Sequence, residues 1–118
     1  MSLRGEIKLN SFELMGVRVD PLTMDETVQA VEKFVLDQRP LHLMGVNADK
    51  INQCQTDESI KKIVNDSEII NADGASVVLA SRFLGYQVPE RVAGIDLMQK
   101  LLHLANERSE EHTSQLQS

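Results

Sequence analysis

Leu41-His42-Leu43-Met44-Gly45-Val46 followed by Asn47-Ala48-Asp49, and Ile69-Ile70 followed by Asn71-Ala72-Asp73-Gly74, decide how this chain folds. Each is a short apolar run that ends in small polar residues. Runs this short, without polar alternation, read as strands covered on both faces. The stretch between them is polar and helical. It opens at Asn47 and, with Thr56 as a second N-cap, turns Ile60, Ile63 and Val64 inward. Upstream, Phe12 to Val19 mixes apolar and polar residues and ends at Asp20-Pro21, which reads as a strand or hairpin. Thr23 and Glu26 have the spacing of a capping box. Val28, Val31, Phe34 and Val35 then recur on one helical face, and that helix stops before Pro40. Downstream of Asp73-Gly74 a helix carries Val77, Val78, Leu79, Phe83 and Leu84, and Gly85 closes it. Val88 to Gly94 is a loop. A last helix begins near Asp96 and carries Leu97, Met98, Leu101, Leu102 and Leu104.

Strands alternating with amphipathic helices predict an α/β fold, a mostly parallel, Rossmann-like sheet flanked by helices. In such sheets ligands sit beyond the carboxyl ends of the strands. Two strand ends here carry the same phrase, Val46-Asn47-Ala48-Asp49 and Ile70-Asn71-Ala72-Asp73, so short polar side chains gather where chemistry is usually done.

The chain has 118 residues, the size of one small domain, with 42% apolar and 25% charged residues. That balance excludes wholesale disorder and fibrous repeats. A single cysteine, Cys54, rules out an internal disulfide and fits a reducing compartment. No apolar run approaches the length of a membrane span, and the opening MSLRGEIKLN lacks the apolar stretch of a signal peptide. A net charge of −6 argues against nucleic acid as a partner, while leaving room for a small phosphorylated ligand held by local donors.

Asp73 is the leading chemical candidate. As a helix N-cap it would satisfy the free amides of Gly74 to Ser76. As a general base it would take a proton from a substrate hydroxyl. Gly74 would let substrate come close to the backbone. Asn47 has the same two readings, helix cap or a donor and acceptor for sugar hydroxyls or a diphosphate. Arg91, in the loop Pro89-Glu90-Arg91-Val92-Ala93-Gly94, would pair with Glu90 or Asp96, or else grip a diphosphate with its forked cation. Gly94 and the helix start beside it would add amides for an anion. His42, His103 and His112 lack metal-ligand spacing, Cys54 has no second cysteine, and no Gly-rich phosphate loop or Asp-x-Asp motif is present. No metal or other cofactor is expected.

Three segments taken together, Val46-Asn47-Ala48-Asp49-Lys50, Asn71-Ala72-Asp73-Gly74 with Val77-Val78, and Pro89-Glu90-Arg91-Val92-Ala93-Gly94-Ile95-Asp96-Leu97, resemble the WecG/TagA/CpsF glycosyltransferases in order and spacing. The resemblance runs from Phe12 to Glu107. It implies an inverting transferase of bacterial surface-polysaccharide assembly. Typical members move N-acetylmannosamine from a UDP-sugar donor onto N-acetylglucosamine linked by diphosphate to undecaprenol. It also implies Asp73 as the base, Asn47 and Arg91 in the same pocket, metal-free chemistry and frequent self-association. Members are longer. Residues 1–107 therefore resemble the amino-terminal part of the catalytic domain. The remainder would supply further donor contacts and the segment that docks the enzyme, from the cytoplasm, on the inner face of the plasma membrane. By itself this chain is expected to be inactive. Two positions depart from the family's pattern. Gly45 stands where many members have Thr, which leaves sugar specificity open, and Asp49 stands where many have Glu.

From Arg108 to Ser118 the chain reads RSEEHTSQLQS, and the helical spacing stops. The string closely resembles the translation of a common sequencing-library adapter, differing at Gln115. Residues 108–118 are thus expected to be a non-native, disordered tail. The alternative to the whole transferase reading is a small, non-enzymatic α/β regulatory or partner-binding domain in which Asp73, Asn47 and Arg91 are caps and surface ions. Whether the reading frame continues upstream of the tail for many more βα units separates the two.

Overall fold

A computed structural model describes the backbone of residues 9–117 and the side chains of residues 9–110. The opening residues 1–8 and the side chains of the tail from residue 111, His112 and Gln115 among them, lie outside the described residues.

The elements follow in the order β1 (Phe12–Leu14), β2 (Val17–Val19), α1 (Met24–Leu36), β3 (Leu43–Val46), α2 (Ala48–Thr56), α3 (Glu58–Asn65), β4 (Ile69–Ala72), α4 (Ala75–Phe83) and α5 (Gly94–Gln117). The fold is α/β, as expected, but its described strands form two small sheets. β1 and β2 are an antiparallel hairpin, and β3 and β4 are a parallel pair. The hairpin turns through Met15 and Gly16, both at positive φ (53° and 80°), which is the primed geometry that matches strand twist. It is tied to the parallel pair at one point. Asp20 N–H donates to the Ile70 carbonyl at 2.8 Å, and the Ile70 amide donates to the Asp20 carboxylate at 2.8 Å. Sheet order in the described residues is therefore less parallel than the alternation of elements predicts.

In the parallel pair Leu43 faces Ile69, Gly45 faces Asn71 and Val46 faces Ala72. Alternate residues point to opposite sides. Met44, Val46, Ile70 and Ala72 enter the larger core, with Ile51 and Cys54 of α2, Val64 of α3, and Val77 and Val78 of α4. Leu43 and Ile69 enter a second cluster with Ala30 and Phe34 of α1. Gly45, Asn71 and, beyond the strands, Asn47 and Asp73 belong to this second side by the same alternation.

The helix ends show why each element stops where it does. The Thr23–Glu26 capping box forms in full. Gly85 follows the α4 C-cap at φ 96°, the left-handed position that glycine fills without strain. Thr56 is not an N-cap. It ends α2, and Asp57 caps α3, because its carboxylate can reach the amides of Ser59 and Ile60 at 3.0 and 3.1 Å. The Ser59 hydroxyl, then the Ile60 amide, hold the Asp57 carboxyl below its ordinary pKa. The cap's contribution is therefore present at neutral pH and is lost as pH falls through the folded-state value.

Helix faces are rotated from the simple apolar count. α1 buries Thr27, Ala30 and Phe34, and leaves Val35 exposed. Thr27 belongs inside because its hydroxyl donates to the Thr23 carbonyl at 2.8 Å and accepts from the Asn71 side chain at 3.0 Å. Ile63, Leu79, Phe83 and Leu84 are likewise exposed rather than core. α5 continues as helix through Gln117, where the sequence predicts a disordered tail. Within it His103 lies 3.0 Å from Glu107, and Arg108 reaches Glu32 of α1 at 2.7 Å. Such i,i+4 pairs and a tether to α1 extend a helix that has little apolar drive of its own. Among the described residues no helix is long and apolar enough to cross a membrane.

Cys54 is a free thiol, 1% exposed. Burial pushes its pKa up, against the opposing pull of Lys50 and Lys61. A raised pKa depletes the reactive thiolate at neutral pH. Labelling by a disulfide reagent such as DTNB should therefore be slow in buffer and become fast in denaturant. Equal rates in both would mean that α2 does not seal the thiol.

Candidate active site

β3 and β4 end side by side, and their pairing runs one residue further: Asp73 N–H donates to the Val46 carbonyl at 3.0 Å. Asn47 and Asp73 are consequently neighbours at the same sheet edge. Asn47 takes the extended backbone of an N-cap, and its side-chain oxygen accepts the Lys50 amide at 2.8 Å. It does cap α2, and its amide nitrogen is the group left for other work.

Asp73 does not cap α4. The N-cap is Gly74, with no side-chain cap bond. The Asp73 carboxylate is directed instead toward the start of α5, where Gly94 N–H approaches it at 3.4 Å, a long and weak contact. The side chain is half-buried, neither sealed nor fully open. Gly74 is needed for packing. A Cβ there would lie 3.1 Å from the Asn47 Cβ and 3.2 Å from its Cα. A backbone neighbour cannot swing away, so the missing side chain is what lets the two strand ends meet.

The loop between α4 and α5 is fastened onto this edge. Val92 N–H donates to the Ala72 carbonyl at 2.9 Å, and Arg91 Nε donates to the Asp73 carbonyl at 2.6 Å. What Arg91 holds is therefore the main chain behind Asp73, not the carboxylate of Glu90 or Asp96. Its exposed guanidinium also lines an open groove of about 840 Å³ between α1 and α5, with Asp25, Asp96, Lys100 and His103. A smaller cavity of about 220 Å³ lies against Gly45, Asn71, Val92, Gly94 and Leu97. Among the described residues no three His, Cys, Asp or Glu side chains converge as a metal site would require.

The five residues singled out from sequence, Asn47, Asp73, Gly74, Arg91 and Gly94, thus come from three distant segments and meet at one strand edge. Two neighbours join them at this edge: Asn71, which the sequence does not single out as a site residue, and Gly45, noted above for its departure from the family's Thr. Asn71 is buried directly before the site and braces it to α1 through Thr27. Gly45 borders Asp73 itself. The parallel pairing of β3 with β4 was the available signal for both.

The chain matches the model of the glycosyl transferase WecG/TagA/CpsF family over residues 12–113. A search of curated proteins gives no match. The matched span covers the hairpin, the parallel pair, the loop carrying Arg91 and most of α5. This chain belongs to the WecG/TagA/CpsF family of glycosyltransferases, the enzymes of surface-polysaccharide synthesis.

Proposed function

We propose that this sequence carries the base-bearing part of an inverting glycosyltransferase with a Rossmann-like catalytic domain. The donor is a UDP-sugar, N-acetylmannosamine in the first instance. The acceptor is N-acetylglucosamine on undecaprenyl diphosphate. The reaction takes place at the cytoplasmic face of the membrane, where a segment beyond residues 12–107 docks the enzyme.

The observation that carries this reading is the half-exposed Asp73 carboxylate at the shared end of two parallel strands, with Arg91 and Gly94 fixed beside it. Asp73 accepts the proton of the acceptor hydroxyl as its oxygen forms a bond to the anomeric carbon. The bond from that carbon to the UDP oxygen breaks, the electron pair leaves on the diphosphate, and the configuration inverts. The terminal guanidinium nitrogens of Arg91 meet the growing negative charge, and the first amides of α5 add donors. The amide nitrogen of Asn47 donates to a sugar hydroxyl. No metal is assigned a role.

The test uses the protein translated from the uninterrupted reading frame, a lipid-diphosphate-linked N-acetylglucosamine and a panel of UDP-sugars. UDP release that requires both donor and acceptor is the expected result. Release that ignores the acceptor, or no release with any donor, overturns the proposal.

A further inference from the structure

Asn71 lines the cavity of about 220 Å³ beside the strand ends, and one atom of its amide is unused there. The residue is 3% exposed. Its Nδ2 donates to the Thr27 hydroxyl oxygen at 3.0 Å, and the Thr27 hydroxyl gives its own proton to the Thr23 carbonyl at 2.8 Å. That hydroxyl can therefore only accept from Asn71, which fixes which way round the amide sits. With Nδ2 committed to α1, Oδ1 is the polar atom left for the cavity. Among the described residues no group donates to it. A buried amide oxygen without a donor is unfavourable, so it marks a place that a ligand's N–H or O–H can fill. The rest of the wall is apolar, with Leu43 of β3, Val92 of the loop, and Leu97 and Leu101 of α5. The space is smaller than the about 300–1,000 Å³ of a whole ligand site, so it fits a substituent rather than an entire substrate.

Two requirements select that substituent. A hydroxyl would satisfy Asn71 Oδ1 but leave the aliphatic wall wet. An alkyl group would cover the wall but leave the oxygen unpaired. A secondary amide that ends in a methyl group meets both requirements, through its N–H and its apolar tip. Gly45 and Gly94, which flank the Asp73 carboxylate, border the same cavity, so it opens beside the reacting centre. On a donor sugar the carbon next to the reacting anomeric carbon is carbon 2. We infer that this cavity is the specificity pocket for an acetamido group on carbon 2 of the donor, with Asn71 Oδ1 accepting its N–H and Leu97 and Leu101 covering its methyl group. This rests on Asp73 being the base proposed above, and it adds the residues that recognise the donor's N-acetyl group.

The test compares donors that differ only at carbon 2, on the protein translated from the uninterrupted reading frame: UDP-N-acetylmannosamine against UDP-mannose, and UDP-N-acetylglucosamine against UDP-glucose. Calorimetry gives Kd, and UDP release with the lipid-diphosphate-linked acceptor gives kcat/KM. In at least one pair the N-acetylated donor should be preferred by about 100-fold or more, in Kd as well as in kcat/KM, as a paired polar atom and a filled apolar pocket together allow. Leu101→Phe fills the cavity without touching the bond from Asn71 to Thr27, and it should cut that preference by about tenfold or more. If Leu101→Phe does not fold, Met98→Trp at the exposed rim of the same cavity gives the same reading. Equal affinities within both pairs, as when water alone fills the cavity, or a preference that survives in the folded variant, overturns the inference. Failure of the base reading looks different: Asp73→Asn would keep its turnover while the donor preference persisted in Kd.

Discussion

Asp73→Asn should lower transferase turnover by about 10²–10⁴-fold while leaving thermal unfolding unchanged. Asparagine matches the volume of aspartate and still offers an oxygen to Gly94 N–H, so the fit over Gly45 and the bond from Arg91 to the main-chain carbonyl survive. What disappears is the ability to accept a proton in the transition state, which typically contributes that factor. At about 1.36 kcal/mol per tenfold the loss is about 3–5 kcal/mol of transition-state free energy. It should appear in kcat far more than in KM, because ground-state contacts are kept. A variant that turns over within a few-fold of the parent would remove Asp73 from the chemistry and leave it a packing residue.

A second large effect concerns stability. Asp20→Ala should destabilise the fold by about 3–5 kcal/mol, the range for breaking a buried ion pair by deleting one partner. The Asp20 carboxylate is fully buried. It accepts from Arg18 Nε at 3.2 Å, from Arg18 Nη2 at 3.3 Å, from the Ile70 amide at 2.8 Å, and from the Ser11 hydroxyl. Arg18 in turn donates to the carbonyls of Asn65 and Ser67 at 2.7 and 2.6 Å, so it cannot follow the lost charge into solvent without breaking these bonds. Alanine therefore leaves a guanidinium with 12% of its side chain exposed and no counter-ion, and an Ile70 amide with no acceptor. Against a total stability of about 5–15 kcal/mol, such a loss brings the chain near unfolding at room temperature. A urea midpoint close to that of the parent would show that the hairpin and β4 do not depend on this carboxylate.

Local chemistry made much of the architecture legible. The capping box, the left-handed glycine after α4 and the two apolar runs that became β3 and β4 each depend on residues a few positions apart, and each stands where the sequence places it. What sequence misjudged depends on partners far along the chain. Thr27 is a core residue because Asn71 claims its hydroxyl, and Val35 is exposed because α1 turns that claim inward. Asp57 displaced Thr56 as a cap because the chain bends one residue later than the apolar spacing implies. At the site, spacing alone left Asp73 as readily a helix cap as a base. The close approach of Gly45 to the Asp73 carboxylate spans 28 positions, and no local pattern reports that contact. Arg91, which the sequence leaves open to a pairing with Glu90 or Asp96 or to a diphosphate, donates from Nε to a main-chain carbonyl, because the loop is held to β4 at Val92.

The parallel ladder from Leu43–Ile69 to Val46–Ala72 works as a ruler. Sliding β3 by a single notch would carry Asn47 about 3.3 Å along the strand axis. It would also swap the bare glycine for Met44 or Val46, whose bulk would land where the carboxylate now rests. The four rungs thus calibrate the distance between two distant loops, and an error of one rung would pull apart the candidate site while leaving most of the helices intact.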